Sequence, residues 1–278
     1  MILFPTAKIN IGLYITEKRA DGFHNIETVF YPVPLCDALE FVESDNQFAS
    51  DTLTVSGIES IGKPEDNLII KAVKRLREIK NFPILKLHLH KAIPAGAGLG
   101  GGSSNAAFLL KGVNSFYGLD LTDKELKEIA LELGSDCPFF IDAVPAHALG
   151  RGELLAPLKT DALNNYYLVL AKPDKCIDTK AAYMNCCPKP AKISLNSVFE
   201  YVPVAQWKCV VYNDFDEYAF GEEPLIAQLI DEMYSTGAVF SLMSGSGSTV
   251  YGIFKNKPQL SDMLKKLLIW QGYIVSGY

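Results

Sequence analysis

The sequence predicts an α+β fold, because strand-like and helix-like stretches mix along it without the regular alternation of a doubly wound sheet. Three observations carry this. AKINIGLYI near the start alternates with period two, the pattern of a half-buried strand. DNLIIKAVKRLREIKN from Asp66 has apolar residues at 69, 72, 73, 76 and 79, the stripe of an amphipathic helix behind a polar cap. The second half runs strand, loop, helix, strand, turn, strand, helix, strand.

In order along the chain, Lys8, Asn10, Gly12 and Tyr14 fall on one face of the first strand, which sets Lys8 and Asn10 side by side. KRADGFHN, with Asp21-Gly22, predicts a hairpin turn. VFYPVPLCDALEFVES continues in short extended pieces broken by Pro32 and Pro34. After the helix from Asp66, LKLHLHKAIP (85–94) alternates and predicts a strand. A glycine run follows, then a helix from about Ser103 to Tyr117. Thr122-x-x-Glu125 forms a capping box opening LTDKELKEIALELG, which Gly134 is placed to end. SDCPFF and AHALGRGELLAPL lead out of this region. NYYLVLAKP (165–173) begins a new part, so two domains are expected, 1–160 and 161–278. There EPLIAQLIDEMYS predicts a helix with Pro224 near its first position. AVFSLM and TVYGIF predict strands joined by SGSGS, and QLSDMLKKLLIW and YIVSGY a final helix and strand.

Composition narrows the function. A formal charge of −6 over 278 residues argues against a nucleic-acid partner, which needs a clustered basic surface. Cysteines at 36, 137, 176, 186, 187 and 209 make no C-x-x-C pair, so zinc spacing is absent and free thiols in a reducing compartment are expected. Apolar runs stay far short of the ~20 residues that span a bilayer, and MILFPTAKINIGLYI lacks a basic n-region and cleavage site. The expectation is a cytoplasmic protein with no membrane partner, acting as a monomer or weak dimer.

Residues 94–104 read PAGAGLGGGSS, with glycine at 96, 98, 100, 101 and 102. Such a run is costly in backbone entropy, and directly before a helix it suits close approach of a phosphate to free N–H groups. A flexible loop is the plainer alternative. G-x-x-x-x-G-K-[ST] fails for want of a lysine. G-x-G-x-x-G matches at Gly96, Gly98 and Gly101, with Asp120 about twenty residues on, so an NAD-dependent oxidoreductase stands as an alternative. Pro94 at the strand-to-loop step and the capping box after Asp120 speak against it.

PAGAGLGGGSSNAA resembles the central motif of the GHMP kinases, small-molecule kinases with a phosphate loop of this kind. AKINIGLYI with ADGFH, GSDCPFF, and SGSGS near the C-terminus fit further blocks of that family. The resemblance implies a two-domain fold, with an N-terminal domain like ribosomal protein S5 domain 2 and a C-terminal ferredoxin-like domain. It implies ATP with Mg²⁺, and Pro94, Gly96, Gly98, Leu99, Gly100, Gly101, Gly102, Ser103 and Ser104 around the ATP phosphates. The residues name no Mg²⁺ ligands.

Lys8 and Asp136 are the implied catalytic pair: a lysine beside the carboxylate would keep it ionised to receive or aim an attacking hydroxyl. For Asp136 the plainer alternative is a helix cap, for Lys8 a solvated strand face. The combined motifs resemble those members whose small-molecule substrate carries a cytidine diphosphate; mevalonate- or homoserine-type kinases are the alternative. That likeness implies substrate contacts at Asn10, Phe23, His24, Thr179, Tyr183, Gly245 and Ser246. Phe23 stands where a tyrosine is usual, and the base would stack between Phe23 and Tyr183. Lys91, just before the loop, is a candidate for the adenine side. His88 and His90 share a strand face and are assigned no role.

Overall fold

A computed structural model describes residues 1–44, 50–58 and 66–274. The chain opens with strands β1 (Ile2–Leu3), β2 (Thr6–Lys18), β3 (His24–Cys36), β4 (Ala38–Glu43) and β5 (Thr52–Gly57). Helix α1 (Leu68–Ile79), strand β6 (Leu85–Lys91) and helices α2 (Gly101–Tyr117), α3 (Asp123–Leu133) and α4 (Phe139–Asp142) follow. Next come β7 (Ala146–Leu149), β8 (Leu154–Pro157), β9 (Tyr167–Ala171), α5 (Thr179–Asn185), α6 (Leu195–Tyr201), α7 (Asp216–Glu222) and α8 (Leu225–Ser235). The last elements are β10 (Phe240–Met243), β11 (Val250–Phe254), α9 (Asp262–Leu267) and β12 (Leu268–Tyr273). No described helix is long and apolar enough to cross a membrane.

The chain divides into two compact units that interleave in sequence, where a single cut near residue 160 is expected. One holds Met1–Lys8, Pro32–Ala95 and Gly100–Ala143; the other holds Ile9–Tyr31, Gly96–Leu99 and Val144–Tyr278. Strands β2 and β3, thirteen residues each, run from one unit into the other, which is why no single cut separates them.

In the first unit the sheet order is β1-β4-β6-β5, with β5 parallel to β6 and the other pairs antiparallel. Strand β6 alternates as expected: Leu85, Leu87, Leu89 and Lys91 are buried, and Lys86, His88 and His90 are exposed. Helix α1 starts where Asn67 accepts a bond from the Ile69 N–H, and it buries Ile69, Ile70, Ala72, Val73 and Leu76. Ile79 of the expected stripe is 42% exposed, because the chain leaves the helix at Lys80. The capping box at Thr122 and Glu125 is present, an arrangement worth about 1 kcal/mol.

In the second unit one sheet has the order β2-β3-β7-β8 and another the order β10-β11-β9-β12, all antiparallel in the latter. Counting β9, β10, β11 and β12 as first to fourth, the spatial order is second-third-first-fourth, with helices after the first and third. That is the split βαβ pattern of a ferredoxin-like domain.

Three expectations need correction here. Strand β2 is not half-buried, since both its faces are covered from Ala7 to Ile15. In the second unit Leu195 and Val211 close on Gly12, where a Cβ would lie 2.8 Å from Leu195 and 3.0 Å from Val211. Second, Pro32 and Pro34 do not break β3; its pairing with β7 runs from Thr28 to Phe30, so the prolines' missing N–H groups lie beyond that ladder. Third, the last helix stops at Leu267, and Leu268–Tyr273 pairs with β9. Ile269, Trp270 and Tyr273 are strand formers, and the ladder outweighs the helical spacing. Of the strand expected at 273–278, residues 275–278 lie outside the described part.

Candidate active site

The first unit holds the expected catalytic pair and the start of the helix that follows the glycine run. Lys8, at the start of β2, reaches Asp136 in the turn between α3 and α4, with Nζ 3.3 Å from Oδ2. The lysine side chain is 5% exposed and the carboxylate 34%, so the pair is closed on one side and open on the other. The solvated strand face is thus excluded for Lys8. The turn is held by the Cys137 N–H on the Gly134 carbonyl (3.1 Å) and the Phe140 N–H on the Cys137 carbonyl (3.1 Å). Beside it the Cys137 thiol is pushed up to about 11, mainly by burial, with Ser103 hydrogen-bonded to it and Asp136 adding a smaller upward push. Such a thiol is inert as a nucleophile.

Helix α2 meets this pair end-on. Its cap is Gly100, at φ +69°, so the helix begins at Gly101, two residues before the start the sequence suggests. A Cβ on Gly100 would fall 2.8 Å from Phe140 and 3.2 Å from the Lys8 Cε, so only glycine lets the helix start so near the lysine. No side chain caps the helix, and no acidic residue lies in its first turn. The first N–H groups and the positive end of the dipole are left for an anion. Gly102 is exposed, and a Cβ there would meet only Leu68 at 3.8 Å. Ser103 is half-buried, while Ser104 is buried and its hydroxyl has no hydrogen-bond partner, nor has the Asn105 Oδ1.

The candidate for the adenine side, Lys91, turns inward. Its ammonium pairs with Asp37, and both are buried. Asp37 Oδ1 also accepts from the Ala92 and Ile93 N–H groups at 2.7 and 2.8 Å. The Lys91 side chain is therefore committed to Asp37 and is not an adenine ligand.

The second unit holds Gly96–Leu99 of the glycine run, with Gly96 at its surface and Leu99 buried as an anchor. Gly98, at φ +74°, approaches the SGSGS loop so closely that a Cβ would lie 2.0 Å from the Ser244 carbonyl oxygen. Ser244 ties three segments. Its hydroxyl accepts from the Asn10 N–H (3.1 Å) and donates to the Gly98 carbonyl (2.8 Å), and its own N–H bonds the Thr249 carbonyl (2.9 Å). Asn10 Nδ2 donates to Thr28, which in turn donates to the Gly12 carbonyl. Gly245 lies against Asn10, a Cβ there falling 3.1 Å from Oδ1. The Thr179 and Ser246 hydroxyls are 2.7 Å apart.

The expected base-binding side chains are also in this unit, arranged differently from an open sandwich. His24 stacks on Tyr183, with centroids 5.1 Å apart, and Tyr183 meets Phe215 edge-on at 4.8 Å. Phe23 is 51% exposed, and the Arg151 guanidinium lies 4.8 Å from its ring centre. The Arg19–Asp21 fork and the Asp21 bond to the Phe23 N–H hold this turn. Partial burial, with Lys18 adding to it, pulls the His24 imidazole below its ordinary value, which keeps it neutral near pH 7 with one donor and one acceptor.

Sequence reasoning missed Ser244, Asn213, Arg151 and Asp37. Ser244 opens the SGSGS motif and was within reach, whereas the others act through contacts made by distant segments. The dinucleotide alternative fails on the fold: Asp120, at φ +56°, stands in the turn before α3, where a second Rossmann strand would be required.

Comparison with known proteins agrees with this layout. The model for the GHMP kinases N terminal domain matches residues 67–143, and that for the GHMP kinases C terminal domain matches residues 204–269. A 4-diphosphocytidyl-2-C-methyl-D-erythritol kinase of Porphyromonas gingivalis is 45% identical over 99% of this chain and 100% of its own. The enzyme so named from Parabacteroides distasonis is 44% identical, with 99% and 100% covered. A crystal structure of 4-(cytidine 5'-diphospho)-2C-methyl-D-erythritol kinase superposes with a TM-score of 0.80 at 28% identity, both chains covered in full. With the phosphate-loop helix, the Lys8–Asp136 pair and the ferredoxin-like strand order all in place, the chain belongs to the GHMP kinases.

Proposed function

We propose that the chain is the ATP-dependent kinase acting on the 2-hydroxyl of 4-diphosphocytidyl-2-C-methyl-D-erythritol, a step in non-mevalonate isoprenoid precursor synthesis. The observation that carries it is the half-open Lys8–Asp136 pair at the uncapped, acid-free start of α2. Full-length relatives of that name support the substrate.

In this reading the open side of Asp136 receives the substrate hydroxyl, accepting its proton or aiming its oxygen at the γ-phosphorus. Phosphoryl transfer passes through a loose transition state, so positioning is the larger part of the task. Lys8, held on the closed side, fixes the position of the carboxylate and adds positive charge where negative charge develops. The N–H groups after Gly100 hold the ATP phosphates, and Pro94, Gly96, Gly98 and Leu99 shape the approach. His24, neutral, reads the edge of the cytosine, while Phe23 and Tyr183 supply ring faces, with Thr179, Ser246, Gly245 and Asn10 completing the substrate contacts. Among the described residues no cluster of three His, Cys, Asp or Glu side chains could hold a metal ion unaided. That suits Mg²⁺, which keeps waters and binds chiefly through phosphates, with the unpartnered Ser104 hydroxyl and Asp136 as the protein oxygens on offer. Bound there, Mg²⁺ would neutralise phosphate charge. Along the chain, 1–160 carries the phosphate loop and catalytic pair and 161–278 carries Thr179, Tyr183 and SGSGS. The enzyme works in the cytoplasm as a monomer or weak dimer on a small molecule, with neither nucleic acid nor membrane as partner.

The test is incubation of the purified chain with ATP, Mg²⁺ and the cytidyl substrate, following ADP and a phosphorylated product. Turnover is expected. Absence of turnover, together with turnover of mevalonate or homoserine, would overturn the substrate assignment.

A further inference from the structure

We infer that Asn213, which belongs to none of the motifs, is a positioning residue for the kinase reaction, acting through Ser244. This rests on the function proposed above.

Asn213 is 4% exposed and lies in the segment before α7. Two backbone bonds fasten that segment to β2: the Leu13 N–H to the Tyr212 carbonyl at 3.0 Å, and the Asp214 N–H to the Leu13 carbonyl at 2.9 Å. Asp214 adds a third by accepting from the Ile15 N–H at 2.8 Å. From this fixed base the Asn213 side chain works in two directions. Its Oδ1 accepts from the Phe215 N–H at 3.0 Å, a local bond that shapes the entry to α7. Its Nδ2 donates to the carbonyls of Met243 (3.1 Å) and Gly245 (2.7 Å). Those are the carbonyls on either side of Ser244, so both amide protons are spent on fixing one residue.

Ser244 in turn holds the Asn10 N–H and the Gly98 carbonyl through its hydroxyl. Asn213 therefore sets at one remove the substrate residue on β2 and the glycine of the phosphate loop that comes nearest to SGSGS. A positioning error of about 1 Å can cost 10²-fold in rate without disturbing the chemistry itself.

Two roles of the residue separate by substitution. Asn213→Asp keeps the shape and an acceptor for the Phe215 N–H, but turns a carboxylate oxygen toward two carbonyls. Asn213→Ser is too short to reach the Gly245 carbonyl and buries no charge. Turnover and KM for ATP and for the cytidyl substrate are measured at temperatures well below each variant's melting midpoint. The expected result is kcat lowered about tenfold to 100-fold in both variants, with each KM within about threefold of wild type. Wild-type kcat in folded Asn213→Asp would overturn the inference, because the local bond to Phe215 would then be its whole role. Should Asn213→Asp not fold, wild-type kcat in Asn213→Ser would overturn it equally. Failure of the proposed function is separate, since there the wild-type chain itself shows no turnover.

Discussion

Gly100 and Gly101, neighbours at the start of α2, rest against two different lysines, and the two lysines sit in differently closed pairs. Gly100 lies over the Lys8 stem, and Gly101 lies over Lys91, whose Nζ would be 3.2 Å from a Cβ there. Each lysine has an aspartate. Asp37, paired with Lys91, is fully buried and also receives two backbone N–H groups. Asp136, paired with Lys8, keeps 34% of its side chain open and stands 3.3 Å away. A carboxylate whose acceptor sites are all used inside the fold can only hold the fold. One with an open side can take a proton from a guest. In the proposed mechanism the difference in closure, and not in residue type, separates scaffold from chemistry.

That contrast can be broken at its strongest point first. Asp37→Asn leaves the Lys91 ammonium buried without its counter-charge, and removal of one partner from a buried pair costs about 3–5 kcal/mol. Urea unfolding should show that loss; a change below about 1 kcal/mol would mean that the pair is not a scaffold. Asp136→Asn should cost less stability than Asp37→Asn, because the Lys8 pair is open on the aspartate side, and should lower kcat by ~100-fold or more. A loss below tenfold in a folded protein would remove Asp136 from the chemistry.

A third acid sharpens the comparison, because among the described residues no cation pairs with its carboxylate. Asp216 Oδ1 is out of solvent and without a hydrogen-bond partner, although the residue as a whole is only half-buried. Burial, opposed by an Asn213 backbone bond and aided slightly by Asp214, raises its carboxyl to about 7. A folded-state value above the unfolded one means that folding takes up a proton. The stability it contributes is full below about 4 and is lost as the pH rises through about 7. Asp216→Asn should therefore gain stability over wild type as the pH rises from about 4, the gain at pH 8 exceeding that at pH 5 by on the order of 2–3 kcal/mol, each tenfold change in acidity being worth about 1.4 kcal/mol. A gain independent of pH would show that the carboxyl is not protonated in the fold.

Much of this was legible in the residues, for physical reasons that differ by element. The alternation in LKLHLHK reports one covered sheet face directly, and the Thr122 box is a contact between residues three apart, so both are readable locally. The glycine run announced a close approach, but not that Gly98 meets the Ser244 carbonyl while Gly100 meets Lys8 and Phe140. Those partners come from segments far away in the chain. For the same reason β2 reads as half-buried: its polar face carries Lys8 and Asn10, and their partners Asp136 and Ser244 lie more than a hundred residues on. Asn213 left no local trace at all, since its bonds to Met243 and Gly245 require a fold to bring them together. LLIW fits either period, so the helical spacing runs on past Leu267 in the residues alone, and the choice belongs to the ladder with β9.

The passage of β2 and β3 between the two compact units has a consequence for how the polypeptide can be divided. The first unit needs residues 1–8, 32–95 and 100–143, and the second needs 9–31, 96–99 and everything from 144 onward. A gene cut at 160 would deliver one fragment carrying the Ile9–Tyr31 hairpin away from the rest of its own unit, and another missing that hairpin. Separating the two units would take several cuts of the chain, inside β2 and β3, on both sides of Gly96–Leu99 and after Ala143.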